Sequence, residues 1–184
     1  EFKMSKRTGN AISMKELIEE CGVDAVRYFF VSRSGNSHLD FDIDLAKSLG
    51  SENPVYYAQY THARLCGILL NGKAFLPFEP KGDLLTSESE RSLLLLLKNY
   101  PEIIASAAKE LEPYKVTNYI HSLAMAINEF YTKCRVLDDK DPSLSKQRLA
   151  LVDACRIVLA DSLSLIGVSA PERMVSRDKE ESGL

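Results

Sequence analysis

Six apolar residues in one stretch constrain this chain more than any other feature. Val116, Ile120, Leu123, Ile127, Phe130 and Cys134 follow one another at steps of 4, 3, 4, 3 and 4. That rhythm places all six on one face of an α-helix, whereas the period of two of a strand would scatter them over both faces of a sheet. The helix they imply starts at Pro113 and runs to about Val136, roughly 35 Å at 1.5 Å per residue. An apolar stripe that long has to be covered by other helices.

The punctuation elsewhere predicts those partners. Ser13-x-x-Glu16 and Ser87-x-x-Glu90 are capping boxes, in which serine and glutamate satisfy each other's orphan amides at a helix start. The first opens a helix that should stop at Gly22, and Asp24 should cap a second over Ala25 to about Ser32. A polar loop, Ser32–Ser37, leads to a weakly helical Phe41–Ser48. There Asp40, Asp42 and Asp44 read as an acidic cluster favoured by a helix N-terminus. Asn53-Pro54 pairs a cap with a proline at the first helical position and opens Pro54–Leu70, which should stop at Asn71-Gly72. Beyond a loop holding Pro77, Pro80 and Gly82, a leucine-rich helix is expected to about Asn99, and a separate one from Pro101 to just before Pro113. After a loop at Asp138–Ser143, a last helix should cover Ser145–Ile166 and end at Gly167. No segment shows strand alternation and no repeat is visible. The expected fold is all-α, a bundle of five or six mostly antiparallel helices.

Composition limits what such a bundle does. A chain of 184 residues suits one domain with a sizeable core. No purely apolar run is longer than Leu93–Leu97, far short of the ~20 residues that span a bilayer. With no apolar leader at the start, a cytoplasmic protein with no membrane partner is expected. Cys21, Cys66, Cys134 and Cys155 are unevenly spaced with no Cys-x-x-Cys, and His38, His62 and His121 are scattered, so no metal site is expected. A Gly-rich phosphate loop, a serine elbow and a cysteine–histidine signature are all lacking, so the chain should not be a catalyst by itself. The polar stretch Val175–Leu184 reads as a disordered tail.

Two features point further. Lys3-Met4-Ser5-Lys6-Arg7, followed by Thr8-Gly9-Asn10, is a basic loop with a glycine hinge, suited to gripping a polyphosphate. The alternative is a frayed charged terminus. Tyr57, Tyr60 and Arg64 lie along one side of their helix, with Tyr56 beside them. Tyr131 sits one position off the apolar stripe of the long helix, near Asn128. Aromatic faces with an arginine are what stacks unpaired bases and holds phosphates, although amphipathic tyrosines also simply edge a core.

These residues carry a family resemblance. Lys3–Arg7 with Gly9-Asn10 resembles the KMSKS loop of class I aminoacyl-tRNA synthetases, with Arg7 in place of the final serine. Asp24-Ala25-Val26-Arg27-Tyr28-Phe29 looks like the segment that comes after that loop in several of them. Three further motifs, Ser37–Asp42, Glu52–Arg64 (ENPVYYAQYTHAR) and Gly167–Met174 (GVSAPERM), resemble bacterial arginyl-tRNA synthetase.

The resemblance covers about residues 3–174 and implies the C-terminal part of such an enzyme, without its Rossmann-type catalytic domain. It implies residues 1–38 as loop and linking short helices, 39–174 as a helical anticodon-binding domain, and 175–184 as the tail, which extends past the methionine at which family members commonly end. It further implies that Lys3, Met4, Ser5 and Lys6 form the ATP-phosphate loop of the parent, which uses ATP with Mg, and that the fragment alone needs no cofactor. Tyr57, Tyr60, Arg64, Asn128, Tyr131, Arg173 and Met174 would bind the anticodon. The implied partners are arginine tRNA and the catalytic domain of the same full-length chain. A helical protein-interaction module and the anticodon domain of another class I synthetase are the alternatives.

Overall fold

The computed structural model describes residues 12–174, which form seven α-helices and, among them, no strand. Three short helices come first: α1 (Met14–Cys21), α2 (Val23–Val31) and α3 (Ile43–Lys47). Four long ones make the bundle: α4 (Pro54–Asn71), α5 (Glu88–Glu110), α6 (Tyr114–Lys133) and α7 (Pro142–Leu165). None is long and apolar enough to cross a membrane.

The stripe on α6 is the centre of the core. Ile120 and Leu123 are fully buried, and Val116, Ile127, Phe130 and Cys134 nearly so. At about 1.5–3 kcal/mol per large apolar side chain, this stripe is a major source of the cohesion that offsets chain entropy. Leu65 of α4, Leu93 of α5 and Leu149, Leu159 and Leu163 of α7 close around it. Cross-helix contacts give the directions. Thr61 and Arg64 of α4 both meet Asn128 of α6, and Tyr57 meets His121, so α4 and α6 run parallel. Glu90 meets Arg148 and Tyr100 meets Asp161, so α5 and α7 run parallel to each other. The tight Leu111–Pro113 connection folds α6 back on α5, which gives an up-down-up-down order.

The capping boxes at Ser13/Glu16 and Ser87/Glu90 form, and Asn53 caps α4. Asp42 caps α3 through the Leu45 amide at 2.9 Å. Four boundaries differ from expectation. Gly22, at φ 82°, precedes α2 in place of Asp24, whose carboxylate is engaged elsewhere. Pro101 does not separate two helices but lies inside α5. It has no amide to offer the Leu97 carbonyl, yet α6 clamps the turn just before it: the Tyr119 hydroxyl donates to the Leu96 carbonyl at 3.0 Å, and the Tyr119 ring lies 5.3 Å from that of Tyr100. That fusion is why four long helices, and not five, build the bundle. Helix α6 ends at Lys133, short of Val136, because the extended backbone at Cys134 turns Cys134 and Val136 into the core. Helix α7 starts earlier, with Asp141 as cap and Pro142 at the first position.

The end of α7 sets the course of the C-terminal segment. Gly167, at φ 70°, donates to the Ser164 carbonyl, and Val168 donates to the Leu163 carbonyl, both at 2.9 Å. This pairing is a Schellman closure, which needs the left-handed backbone glycine adopts freely. The chain then reverses and lays residues 168–174 across α2 and α4.

Candidate nucleic-acid interface

Helix α4 carries the sequence Tyr56-Tyr57-Ala58-Gln59-Tyr60-Thr61-His62-Ala63-Arg64, with Ala58, Thr61 and His62 buried and Tyr60 and Arg64 at its edge. Arg64 sits between two rings. Its guanidinium carbon lies 5.0 Å from the centroid of Tyr60 and 5.2 Å from that of Tyr131, within cation–π range of both. Tyr56 extends the aromatic surface, stacked on Tyr60 at 6.0 Å and 13°.

A polar relay fixes the arginine from behind. Arg64 Nη1 donates to Asn128 Oδ1 at 2.7 Å, and Asn128 Nδ2 donates to Thr61 Oγ1 and to the Ala124 carbonyl, both at 2.9 Å. Thr61 in turn donates to the Tyr57 carbonyl at 2.8 Å. Each member is satisfied, so the aromatic–cation wall is held rigidly between α4 and α6.

That wall borders a groove of about 970 Å³ whose other side is built by α7 and the C-terminal segment. Tyr60, Arg64, Tyr131, Arg173 and Met174 all line it, so five residues spread over more than a hundred positions in sequence are brought together. Asn128 is behind Arg64 rather than in the groove. Tyr57 is on the same helix face but seven residues before Arg64, about 10 Å along the axis; its ring faces His121 at 6.3 Å. Lys3, Met4, Ser5, Lys6 and the tail 175–184 lie outside the described residues.

A latch holds Arg173 and Met174 at the rim. The Asp24 carboxylate accepts from the Ser169 amide at 3.2 Å, from the Ser169 hydroxyl and from Gln59 Nε2 at 2.8 Å. Gln59 Nε2 also donates to the Ser169 carbonyl at 3.0 Å. His62 Nδ1 lies 2.9 Å from the Pro171 carbonyl, and Arg27 Nε donates to the Ile166 carbonyl at 3.0 Å. Asp24, Gln59, His62 and Ser169 therefore set the rim. Nothing in their sequence spacing pairs residues more than a hundred apart. Arg156 is equally invisible in the sequence: it reaches the groove from α7 and shares its lining with Arg173. Nearby, burial pushes the Cys66 thiol up from its ordinary value, with Arg156 working against it.

Among the described residues no group of three or more histidine, cysteine or acidic side chains could hold a metal ion. The arrangement offers π-faces and guanidinium groups in an open trough, the side-chain types that stack bases and hold phosphates.

Comparison with known proteins places this geometry. Residues 58–174 match the model of the DALR anticodon binding domain. The chain is 50% identical over 175 residues to arginine–tRNA ligase 1 of Halalkalibacterium halodurans and 51% identical over 177 residues to arginine–tRNA ligase of Bacillus subtilis. In both comparisons the match covers 94% of this chain and 32% of the relative, so the chain spans about a third of the length of the curated relatives it matches. Among solved structures, arginyl-tRNA synthetase of Thermus thermophilus superposes with a TM-score of 0.71 at 27% identity, over 92% of this chain and 29% of that one.

Proposed function

Because the chain belongs to the DALR anticodon-binding domain family, we propose that it binds the anticodon arm of arginine tRNA, as the C-terminal third of an ATP-dependent arginine–tRNA ligase. The observation that carries this reading is the convergence of Tyr60, Arg64, Tyr131, Arg173 and Met174 on one groove. Unpaired anticodon bases have exposed π-faces. Tyr60 and Tyr131 offer them complementary rings, each stacked base being worth about 1–3 kcal/mol. Arg64 holds the two rings at fixed spacing and supplies positive charge between them. Asn128 sets the guanidinium through its hydrogen bond, and Tyr57 supports the same relay through its carbonyl and extends the aromatic surface toward His121. Arg173 and Met174 close the far side.

The identity of about 50% to arginine–tRNA ligases, against the shared early motifs alone, favours arginine over the tRNA of another class I enzyme. In the full-length parent, residues 1–38 would join the catalytic domain to the bundle at 39–174. Lys3, Met4, Ser5 and Lys6 would meet ATP phosphates there, with Mg, and Lys6 would stabilise charge that develops during arginine activation. The chain alone would activate no arginine, and its site of action would be the cytoplasm.

The test is a fluorescence-anisotropy titration at fixed salt, comparing an arginine tRNA transcript with one changed only at the central anticodon base. Weaker binding of the changed transcript is expected. Equal binding would reduce the groove to backbone electrostatics, and no binding of either would remove the RNA reading.

A further inference from the structure

The chain carries a net charge of −3, yet the groove gathers cations. Arg64, Lys73, Arg156 and Arg173 line it against one carboxylate, Glu172. These cations are not equivalent. Arg64 is committed, sandwiched between two rings and bonded to Asn128, so it builds the wall. Arg156 stands on α7 with about a third of its side chain exposed, and its Nε and Nη2 both donate to one oxygen of Asp153, at 2.9 and 2.8 Å. Nη1 has no protein acceptor among the described residues. Asp153 is one turn away on the same helix and itself about a third exposed, so this is a surface pair of the kind worth little to folding. A guanidinium that lines the trough, paired only with a solvent-exposed carboxylate and with Nη1 left over, can accept a phosphate.

We infer that Arg156 is a phosphate-contacting residue of the groove, its guanidinium shared with the weakly competing carboxylate of Asp153, and that it grips the RNA backbone on the side opposite the Tyr60–Arg64–Tyr131 wall. This rests on the RNA-binding reading above and adds a division of labour to it. The α4/α6 wall discriminates bases. The α7 side supplies backbone charge, which carries no sequence information.

The two roles separate in salt dependence. Each phosphate contact on a single-stranded segment contributes about 0.7 to the slope of log affinity against log salt. Arg156→Ala should therefore lower that slope by about 0.7, so that affinity falls about 2.5-fold less than in the unaltered protein when salt rises fourfold. The ratio of affinities for the original and central-base-changed transcripts should stay the same. Arg156→Lys keeps the charge and should keep the slope. Asp153→Asn frees the guanidinium and should tighten binding, and that gain should vanish in the Arg156→Ala background, which separates release of Arg156 from simple loss of a negative charge.

Titrations use the whole chain with the same two transcripts, and helicity is checked by circular dichroism. If the unaltered protein binds RNA and Arg156→Ala leaves slope and affinity unchanged, the assignment of Arg156 is wrong while the groove stands. A changed base ratio with an unchanged slope also overturns it, since Arg156 would then read a base. Absence of binding by the unaltered protein overturns both this assignment and the reading it rests on. Should Arg156→Ala misfold, Arg156→Gln takes its place in both the single and the double variant, and an unchanged slope there refutes the inference.

Discussion

Two arginines, both bridging neighbouring helices, show how differently the two sides of this bundle are made. At the α5/α7 seam, Arg148 Nε donates to Glu90 Oε1 at 2.7 Å, and Glu90 is about 1% exposed. The other Glu90 oxygen accepts the Ser87 amide, and Arg148 Nη1 donates to the Arg135 carbonyl, so charge and cap are sealed into one satisfied unit. At the α4/α6 edge, Arg64 has no carboxylate partner among the described residues; it shares its charge between two rings and an amide, and the groove stays open beside it. A buried charge must be neutralised locally or it costs several kcal/mol. A half-exposed one can keep part of its field for a ligand.

The contrast is broken most sharply at Arg148. Arg148→Ala leaves the Glu90 carboxylate buried without its cation and should cost about 3–5 kcal/mol of stability in urea denaturation. A loss below about 1 kcal/mol would mean the seam is not sealed. Burial raises the pKa of Glu90, but the Arg148 and Ser87 hydrogen bonds outweigh it and hold the carboxyl below its ordinary 4.5. The folded value being depressed, this stability is complete above about 4.5 and is lost as pH falls through the folded value. Stability measured from pH 6 downward should therefore fall with a steeper dependence than in Glu90→Gln, and parallel profiles would remove Glu90 from the linkage.

On the open side the loss should appear in binding. Tyr131→Ala should weaken RNA binding by about 1–3 kcal/mol, with Tyr131→Phe largely restoring it. The ring is nearly half exposed, so the melting temperature should barely change. A variant that unfolds would assign Tyr131 to the core, and equal, negligible effects of alanine and phenylalanine would remove it from the groove. The smallest effect sharpens the comparison from outside both sites. Leu111 closes α5 in the left-handed region at φ 57° with its side chain almost wholly exposed. Leu111→Gly should raise stability by roughly 0.5 kcal/mol, the relief of backbone strain exceeding glycine's entropy cost. RNA binding should not change.

The parts of this molecule legible in the sequence are those written locally. The apolar stripe of α6, both capping boxes and the Asn53-Pro54 start each depend on residues within a few positions, and each stands where the spacing places it. Pro101 misleads because its local penalty is offset by Tyr119, nearly twenty residues away on another helix. The groove is half legible. The aromatic–arginine pattern on α4 and the nearby Tyr131 mark one wall, while Asp24 has the sequence context of a cap and is in fact the anchor of Ser169, 145 residues later. Arg156 carries no local signal at all, since an arginine three residues after an aspartate is ordinary on any surface helix.

The Asp24–Ser169 latch has a consequence for the order in which the molecule comes into being. A chain made from its amino end completes α4 and α6, and so the aromatic wall, while most of α7 is still to come. The rim depends on residues 168–174 returning to Asp24, Gln59 and His62. The trough is thus finished by the last described stretch to be synthesised, and a chain cut short before Ser169 would present the wall and the Arg156 side of α7 without the rim that Arg173 and Met174 complete.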